Sequence, residues 1–222
     1  MMNFEKIVEL VIKLCEISQK VIYDEVLDMT YSTYADIFRP TIRKESLVYD
    51  IVWIIGATIF IALAAQIAIP VPFSPVPITG QSLAVLLTGI LLGSKRGSLS
   101  VILYLLEGIA GLPVFAAAGF GLTHLVGPTG GYLIGFVPAA FLCGYLAEKG
   151  WDRNFGLALL TMVIGKIAIF GCGLLWLAEW VGLDQVLMMG LYPFLPGMVI
   201  KIALATVSLP LGWKLLGTEK KE

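Results

Sequence analysis

Apolar and small polar residues follow one another without a charged residue from Ile51 to Ser94, a run of 44 residues. Because one membrane crossing needs about 20 apolar residues, this run is long enough for two spanning helices. Four prolines between positions 70 and 77 divide it. Each proline lacks a backbone donor and keeps its predecessor out of the α region. The pattern predicts two hydrophobic helices joined by a rigid, uncharged loop at the membrane surface, which either lines a cavity or is a stiff turn without a ligand.

The same apolar pattern repeats along the rest of the chain and predicts six spanning helices in all. Charged turns, or stretches rich in glycine and proline such as residues 113–129, separate the segments. We therefore predict an all-α membrane protein with six transmembrane helices. The predicted helices cover Tyr49–Ile69, Gly80–Gly93, Ser98–Leu112, Gly130–Ala147, Phe155–Trp180 and Phe194–Leu216.

The first 47 residues follow a different pattern. Between residues 3 and 22, charged residues recur every three or four positions beside an apolar stripe, which predicts an amphipathic helix lying on the membrane or on a partner. The alternative is a solvated helical extension. The sequence thus divides into an N-terminal amphipathic helix and linker (1–47), a six-helix substrate-binding domain (48–217) and a cytoplasmic tail (218–222).

Lysine and arginine occur only in alternate connections of the apolar region. They precede helix one, lie between helices two and three and between four and five, and follow helix six. By the positive-inside rule, both termini are cytoplasmic, and the proline-rich and glycine-rich loops face outward. Only 14% of the residues are charged, against roughly 25% in a soluble domain. We therefore expect a multi-pass protein of the plasma (inner) membrane.

Several classes of function find no support in the sequence. The net charge of −1 gives no reason to expect a nucleic-acid partner, and the three cysteines lie too far apart for a zinc site or disulfide framework. Neither HExxH nor GxSxG occurs. A Walker A motif ending at Lys166 fails, because Leu160 and Ile167 occupy two of its required positions. We predict no enzymatic activity and no cofactor, so energy would come from a partner or a gradient.

Three ionisable residues fall within predicted spans: Glu107, Lys166 and Lys201. A charge near the bilayer centre costs about 2.5–3.5 kcal/mol on insertion scales, so such side chains usually face an interior or a partner. Together the three charges sum to +1, which one substrate carboxylate would neutralise. The alternative is that Glu107 pairs with one lysine while the other reaches the membrane surface or is neutral.

Small residues recur at four-residue spacing on helix one: Thr58 with Ala62, and Ala64 with Ala68. Such pairs allow another helix to approach closely in lipid. Spacing alone leaves two partners open, a separate membrane subunit and a neighbouring helix of the same bundle.

Four motifs together resemble a known family. They are AQIAIPVPFSPVPITGQ at residues 65–81, GIAGLPVF at 108–115, GPTGGYLIGF at 127–136, and PFLPG at 193–197 followed by Lys201. In this order they resemble the signatures of the BioY family of biotin transporters. The resemblance covers about Val48 to Gly217 and leaves the first 47 residues outside.

The resemblance implies a six-helix, substrate-capturing S component of an energy-coupling-factor (ECF) transporter. Such a component works in the lipid bilayer with a membrane coupling subunit and two ATPase subunits. The family's first helix docks on the coupling subunit through small residues, which favours a partner interface at Thr58, Ala62, Ala64 and Ala68. Its outer loops close over biotin, and its helix-six lysine, here Lys201, meets the biotin carboxylate.

Two positions depart from the family pattern. The pattern is usually Pro-Gly-Asp-x-x-Lys, with the aspartate bonding the ureido ring of biotin, but Met198 stands at the aspartate position. Lys166 stands where the family usually has an uncharged residue. Gln81, Thr129 and Tyr132 are then the candidates for polar contacts to biotin. The alternatives are an S component for another small carboxylate vitamin or lipoate-like acid and, in another class, a non-transporting membrane scaffold.

Overall fold

The computed structural model describes residues 33–40 and 42–215, so the predicted amphipathic helix at 3–22 and the tail from 218 lie outside the described residues. The described chain is almost entirely helical, as predicted. Its elements in order are α1 (Tyr34–Ile37), α2 (Arg43–Gln66), β1 (Ala68–Ile69), β2 (Ile78–Thr79), α3 (Gln81–Leu92), α4 (Ser94–Ile109), α5 (Leu122–Val126), α6 (Gly130–Glu148), α7 (Phe155–Val181), α8 (Leu183–Gly190) and α9 (Leu195–Leu215), with 3-10 turns at Ala116–Ala118, Trp151–Arg153 and Tyr192–Phe194.

Each predicted span corresponds to a long helix, but two of the helices begin earlier than predicted. Helix α2 begins at Arg43 rather than Tyr49, because the helix-favouring residues 43–45 continue the helix beyond its apolar part. Helix α4 begins at Ser94 rather than Ser98. The Glu148 carboxylate, at the end of α6, accepts hydrogen bonds from the Ser94 backbone N–H (2.7 Å) and hydroxyl (2.9 Å). This partner comes from a distant part of the chain, so the local pattern could not indicate it.

Four helical segments are long and apolar enough to cross a membrane. They are Glu45–Gln66, Gly130–Glu148, Phe155–Val181 and Leu183–Leu215, the last of which contains α8 and α9. The other two long helices, α3 and α4, have 12 and 16 residues, or about 18 and 24 Å at 1.5 Å per residue. The hydrocarbon core is about 30 Å thick. The described chain is therefore a multi-pass membrane protein, and the count of six crossings stays a prediction.

Helices α3, α6 and α7 approach one another closely where glycines face them. A Cβ atom added at Gly89 would lie 2.3 Å from the Ala140 carbonyl oxygen, and one added at Gly165 would lie 2.5 Å from the Cys143 Sγ atom. Around these contacts the interior is filled by buried apolar side chains, whereas the outward faces of the helices carry exposed ones such as Leu175 (78% exposed). Apolar surface on both sides of a helix is typical of a helix between protein and lipid.

One end of the bundle concentrates the charged residues, and we call it the charged end: Asp36, Arg39, Asp50, Arg96 and Glu148. The Arg96 guanidinium contacts the Asp36 carboxylate and lies 3.1 Å from Asp50. Arg39 Nη2 lies 2.6 Å from Oδ2, the other carboxylate oxygen of Asp50. Opposite charges therefore meet in a network that joins α1, α2 and α4.

Residues 33–40 are attached to the same end through α1. The Tyr34 hydroxyl donates a hydrogen bond to the Leu209 carbonyl, and its ring centroid lies 4.3 Å from that of Trp213. Trp213 Nε1 in turn donates to Asp152 Oδ2 at 2.6 Å. The packed bundle thus includes residues that precede the domain boundary predicted at residue 48.

Candidate functional site

Two loops cover the opposite end of the bundle, which we call the loop end: residues 67–80 and 110–129. In the first loop, β1 and β2 pair antiparallel, with Ala68 opposite Thr79, and form the base of a short hairpin. The four prolines lie between the two strands, where a proline, which cannot donate to a strand ladder, is tolerated. The Ser74 hydroxyl donates to the Met189 carbonyl at 2.7 Å. The hairpin tip is thereby attached to α8.

The second loop is held by one side chain from the end of α2. The Gln66 amide donates to the Phe115 carbonyl at 3.3 Å and accepts from the Ala118 backbone N–H at 2.8 Å. Ala117 and Ala118 adopt left-handed backbone angles, with φ of 53° and 58°. Such angles are uncommon for residues other than glycine and persist where contacts enforce them. Gln66 supplies such a contact at Ala118.

A cavity of about 400 Å³ lies beneath the two loops. Small-molecule sites range from about 300 to 1,000 Å³, so the cavity suits one small ligand. Its wall is largely apolar and aromatic: Phe170 lies 6.0 Å from both Tyr132 and Phe194, measured between ring centroids. The residues that line it are Pro75, Val76, Pro77, Ile78, Thr79, Gln81, Ser82, Phe115, Ala116, Thr123, His124, Gly127, Pro128, Thr129, Tyr132, Leu133, Phe136, Lys166, Ile169, Phe170, Phe194, Met198 and Lys201.

Both membrane lysines predicted to bind the substrate line this cavity. Lys166, from α7, is only 4% exposed, and its ammonium donates to the Ser82 hydroxyl at 2.7 Å. Lys201, from the first turns of α9, is half-buried and donates to the Thr79 carbonyl at 2.5 Å. Met198 lies one turn earlier on α9 and lines the same cavity. Two positively charged side chains from different helices thus line the same cavity.

The three predicted polar residues also line the cavity, and each donates one hydrogen bond within the protein. Gln81 accepts from Thr79 and donates to the Tyr104 hydroxyl, at 3.0 and 2.5 Å. Thr129 donates to the His124 carbonyl at 3.0 Å, and Tyr132 donates to the Gly190 carbonyl at 2.9 Å. These bonds hold the α3 start, the second loop and α8 in position around the cavity. The hydroxyl oxygens keep acceptor capacity toward a ligand.

Glu107 is the predicted substrate-binding residue that the structure places outside the cavity lining. Its carboxylate accepts a hydrogen bond from the Thr58 hydroxyl at 3.1 Å, between α4 and α2. The Thr58 hydroxyl gives the Glu107 carboxylate a polar partner between two packed helices. Neither substrate binding nor pairing with a lysine is needed to explain the presence of Glu107 in a span. The sequence alone could not distinguish these possibilities, because it does not show which residue of a neighbouring helix contacts Glu107.

The four small residues of helix one do not form one outward stripe. Thr58 is 1% exposed, and Ala62 and Ala64 pack against the core. The predicted pairing of Ala64 with Ala68 on one helix is wrong. The helix ends at Gln66, and Ala68 lies in β1. These contacts match the alternative of packing within the bundle. The exposed surface of α2 is instead formed by larger residues such as Leu63 (65% exposed).

Four polar residues of the cavity lining were not among the predicted site residues: Thr79, Ser82, Thr123 and His124. Ser82 follows Gln81 directly and was overlooked because serine is common at helix starts. His124, the one histidine of the sequence, lies beneath the second loop with its ring 5.8 Å from that of Phe115. Its position in a glycine-rich loop was the available signal.

Comparisons with known proteins point to one family. The model of the BioY family matches residues 35–218. A probable biotin transporter BioY from Pyrococcus horikoshii is 38% identical over 150 residues, covering 67% of this chain and 88% of the relative. The biotin transporter BioY of Thermotoga maritima is 41% identical over 156 residues, covering 69% and 91%. A crystal structure of the S-component for biotin from an ECF-type ABC transporter is 29% identical with a TM-score of 0.67, covering 78% of this chain and 95% of that one.

Proposed function

This chain belongs to the BioY family, and we propose that it is the substrate-capturing membrane component of a biotin uptake transporter. The observation that carries the proposal is the cavity itself. It is covered by loops, walled by aromatic rings, and supplied with ammonium groups from two helices. A ring system with a carboxylate, such as biotin, suits this combination. A membrane scaffold would need neither the cavity nor the buried lysines.

Lys201 is the residue we propose for the biotin carboxylate. A charge-assisted hydrogen bond contributes about 1.5–3 kcal/mol, and each 1.4 kcal/mol is tenfold in affinity. Lys201→Ala should therefore weaken biotin binding by roughly ten- to a hundredfold, measured by calorimetry on purified full-length protein. Lys201→Arg should restore little, because a planar guanidinium replaces a compact ammonium poorly in a fitted pocket. Unchanged binding of biotin by both variants would assign the carboxylate to another residue.

Met198 favours one second candidate, another small acid such as a lipoate-like carboxylate. A thioether accepts hydrogen bonds weakly, so Met198 recognises a ureido ring less strongly than an aspartate would. Competition between biotin and lipoate for the purified protein distinguishes the two. If lipoate displaces biotin at equal concentration, the second candidate replaces the first.

The proposal includes six crossings with both termini in the cytoplasm, so that the loop end faces outward. Its support is the distribution of lysine and arginine, which are concentrated at the charged end. Single cysteines at Ser74 and Thr123, in a cysteine-free background, should react with impermeant reagents from outside intact cells. Labelling that requires opened membranes would reverse the orientation.

The energy for uptake is proposed to come from a membrane coupling subunit and two ATPase subunits. The failed Walker A motif supports this, because the chain lacks the residues that hold nucleotide phosphates. Purified protein should hydrolyse no ATP, and rapid biotin uptake should require the co-expressed subunits. Equally rapid uptake by the chain alone would contradict the mechanism.

A further inference from the structure

The ammonium groups of Lys166 and Lys201 reach the same wall of the cavity. Lys166 bonds to Ser82 and Lys201 bonds to Thr79, at 2.7 and 2.5 Å. Thr79 is the last residue of β2, and Ser82 lies three residues later in the first turn of α3. Two lysines that are far apart in sequence and lie on different helices therefore converge on one short segment.

Neither lysine has a carboxylate partner there. Both acceptors, a hydroxyl and a backbone carbonyl, are neutral, and of the described residues that line the cavity none is acidic. A buried charge without a counterion is costly, and the start of α3 adds the positive end of a helix dipole. The arrangement therefore suits an anionic group of a ligand.

We propose that Lys166 and Lys201 bind one and the same anionic group of the ligand, with the Ser82 hydroxyl positioning Lys166. The identity of that group as the biotin carboxylate rests on the proposed function. Lys166 is thus a second carboxylate-binding residue rather than a contact for the uncharged ring. Because the two ammonium groups contact Thr79 and Ser82, the anion would lie beside this short segment.

The test compares biotin with biotin amide, which keeps the ring but lacks the negative charge. The measured quantity is the association constant for biotin divided by that for biotin amide. It is determined by calorimetry for the full-length parent protein, for Lys166→Met, for Lys201→Met and for the double variant. Each single substitution should lower this ratio by about tenfold or more. In the double variant the ratio should approach one.

Three controls accompany these variants. Lys149→Met removes an exposed lysine at the charged end, whose ammonium lies over the Tyr145 ring, and should leave the ratio unchanged. Ser82→Ala keeps both ammonium groups and should lower the ratio by only about threefold or less, because a positioning bond is weaker than a charge contact. Lys166→Gln repeats the neutralisation with a polar side chain if Lys166→Met does not fold.

The outcomes separate this inference from the proposed function. If Lys166→Met weakens biotin and its amide equally, Lys166 contacts the uncharged part of the ligand and the inference is overturned. If Lys166→Met and Lys166→Gln bind both ligands as the parent does, Lys166 takes no part in binding and the inference also fails, while the proposed function stands. A parent protein that binds neither ligand overturns the proposed function itself.

Discussion

The two ends of the bundle treat buried positive charge in opposite ways. At the charged end, Arg96 lies between two carboxylates, Asp36 and Asp50. Beneath the loop end, Lys166 and Lys201 meet only neutral acceptors among the described residues. A charge that is paired within the protein stabilises the fold, whereas one left without a counterion is available to a ligand. We infer from this difference that the charged end is structural and that the loop end is the one that binds the ligand.

The largest effect is expected for Trp213 at the charged end, which is 1% exposed and joins α1 to Asp152. Trp213→Ala should cost about 3–5 kcal/mol, since it leaves a large cavity and removes the donor to a buried carboxylate. A large drop in apparent melting temperature in detergent would show it. Trp180→Ala is the control, because Trp180 is 56% exposed. Equal losses for the two variants would contradict a packed charged end.

The next effect concerns Asp152, in the turn between α6 and α7. Burial raises the pKa of its carboxyl from 3.8 to about 6, although the hydrogen bond from Trp213 and the charge of Arg153 lower it. The Oδ1 atom has no hydrogen-bond partner among the described residues. The folded chain therefore binds this proton more tightly than the unfolded chain, so stability should fall as the pH rises from about 4 to 6.

A shift of about two pKa units corresponds to about 3 kcal/mol at most. Asp152→Asn should remove this part of the pH dependence, because the amide carries no charge and can still accept from Trp213. The check is the change in melting temperature between pH 4 and pH 7, compared between the parent and the variant. The same change in both would show that Asp152 does not titrate in this window.

Arg96→Met tests the ionic network directly. It leaves Asp36 and Asp50 without their shared guanidinium, and we expect a loss of about 1–3 kcal/mol. Biotin affinity should be unchanged, since Arg96 lies outside the cavity lining. The neighbouring Lys95→Met is the matched control, because Lys95 is exposed. A large loss of biotin affinity with Arg96→Met would contradict the division of roles between the two ends.

The smallest effect on stability is expected at the loop end, where a substitution should stabilise rather than destabilise the protein. Lys166→Met removes a buried cation that has no anionic partner among the described residues, so stability should be unchanged or higher by up to about 1 kcal/mol without ligand. The measurement is the melting temperature of ligand-free protein. A destabilisation as large as that of Arg96→Met would show that Lys166 is structural.

Much of the fold could be predicted from residue pattern, because lipid imposes a length and a polarity on each spanning helix. The positions of all six long helices followed from apolar runs, and the two covering loops followed from proline and glycine. Helix ends were less predictable. The start of α4 depends on Glu148, which is 54 residues away.

Lys166 and Lys201 were identified from sequence because a charge within an apolar span is too costly to face lipid. The presence of two lysines within apolar spans can be seen in the sequence, and it predicts that they face the interior of the protein. The sequence could not determine that Glu107 bonds to Thr58 or that Lys166 and Lys201 both contact the segment 79–82. These contacts join residues on different helices, so they depend on how the helices pack. Only the tertiary structure brings the two ammonium groups to one wall of one cavity, because that proximity depends on how α7 and α9 pack against the segment 79–82 rather than on any single stretch of chain.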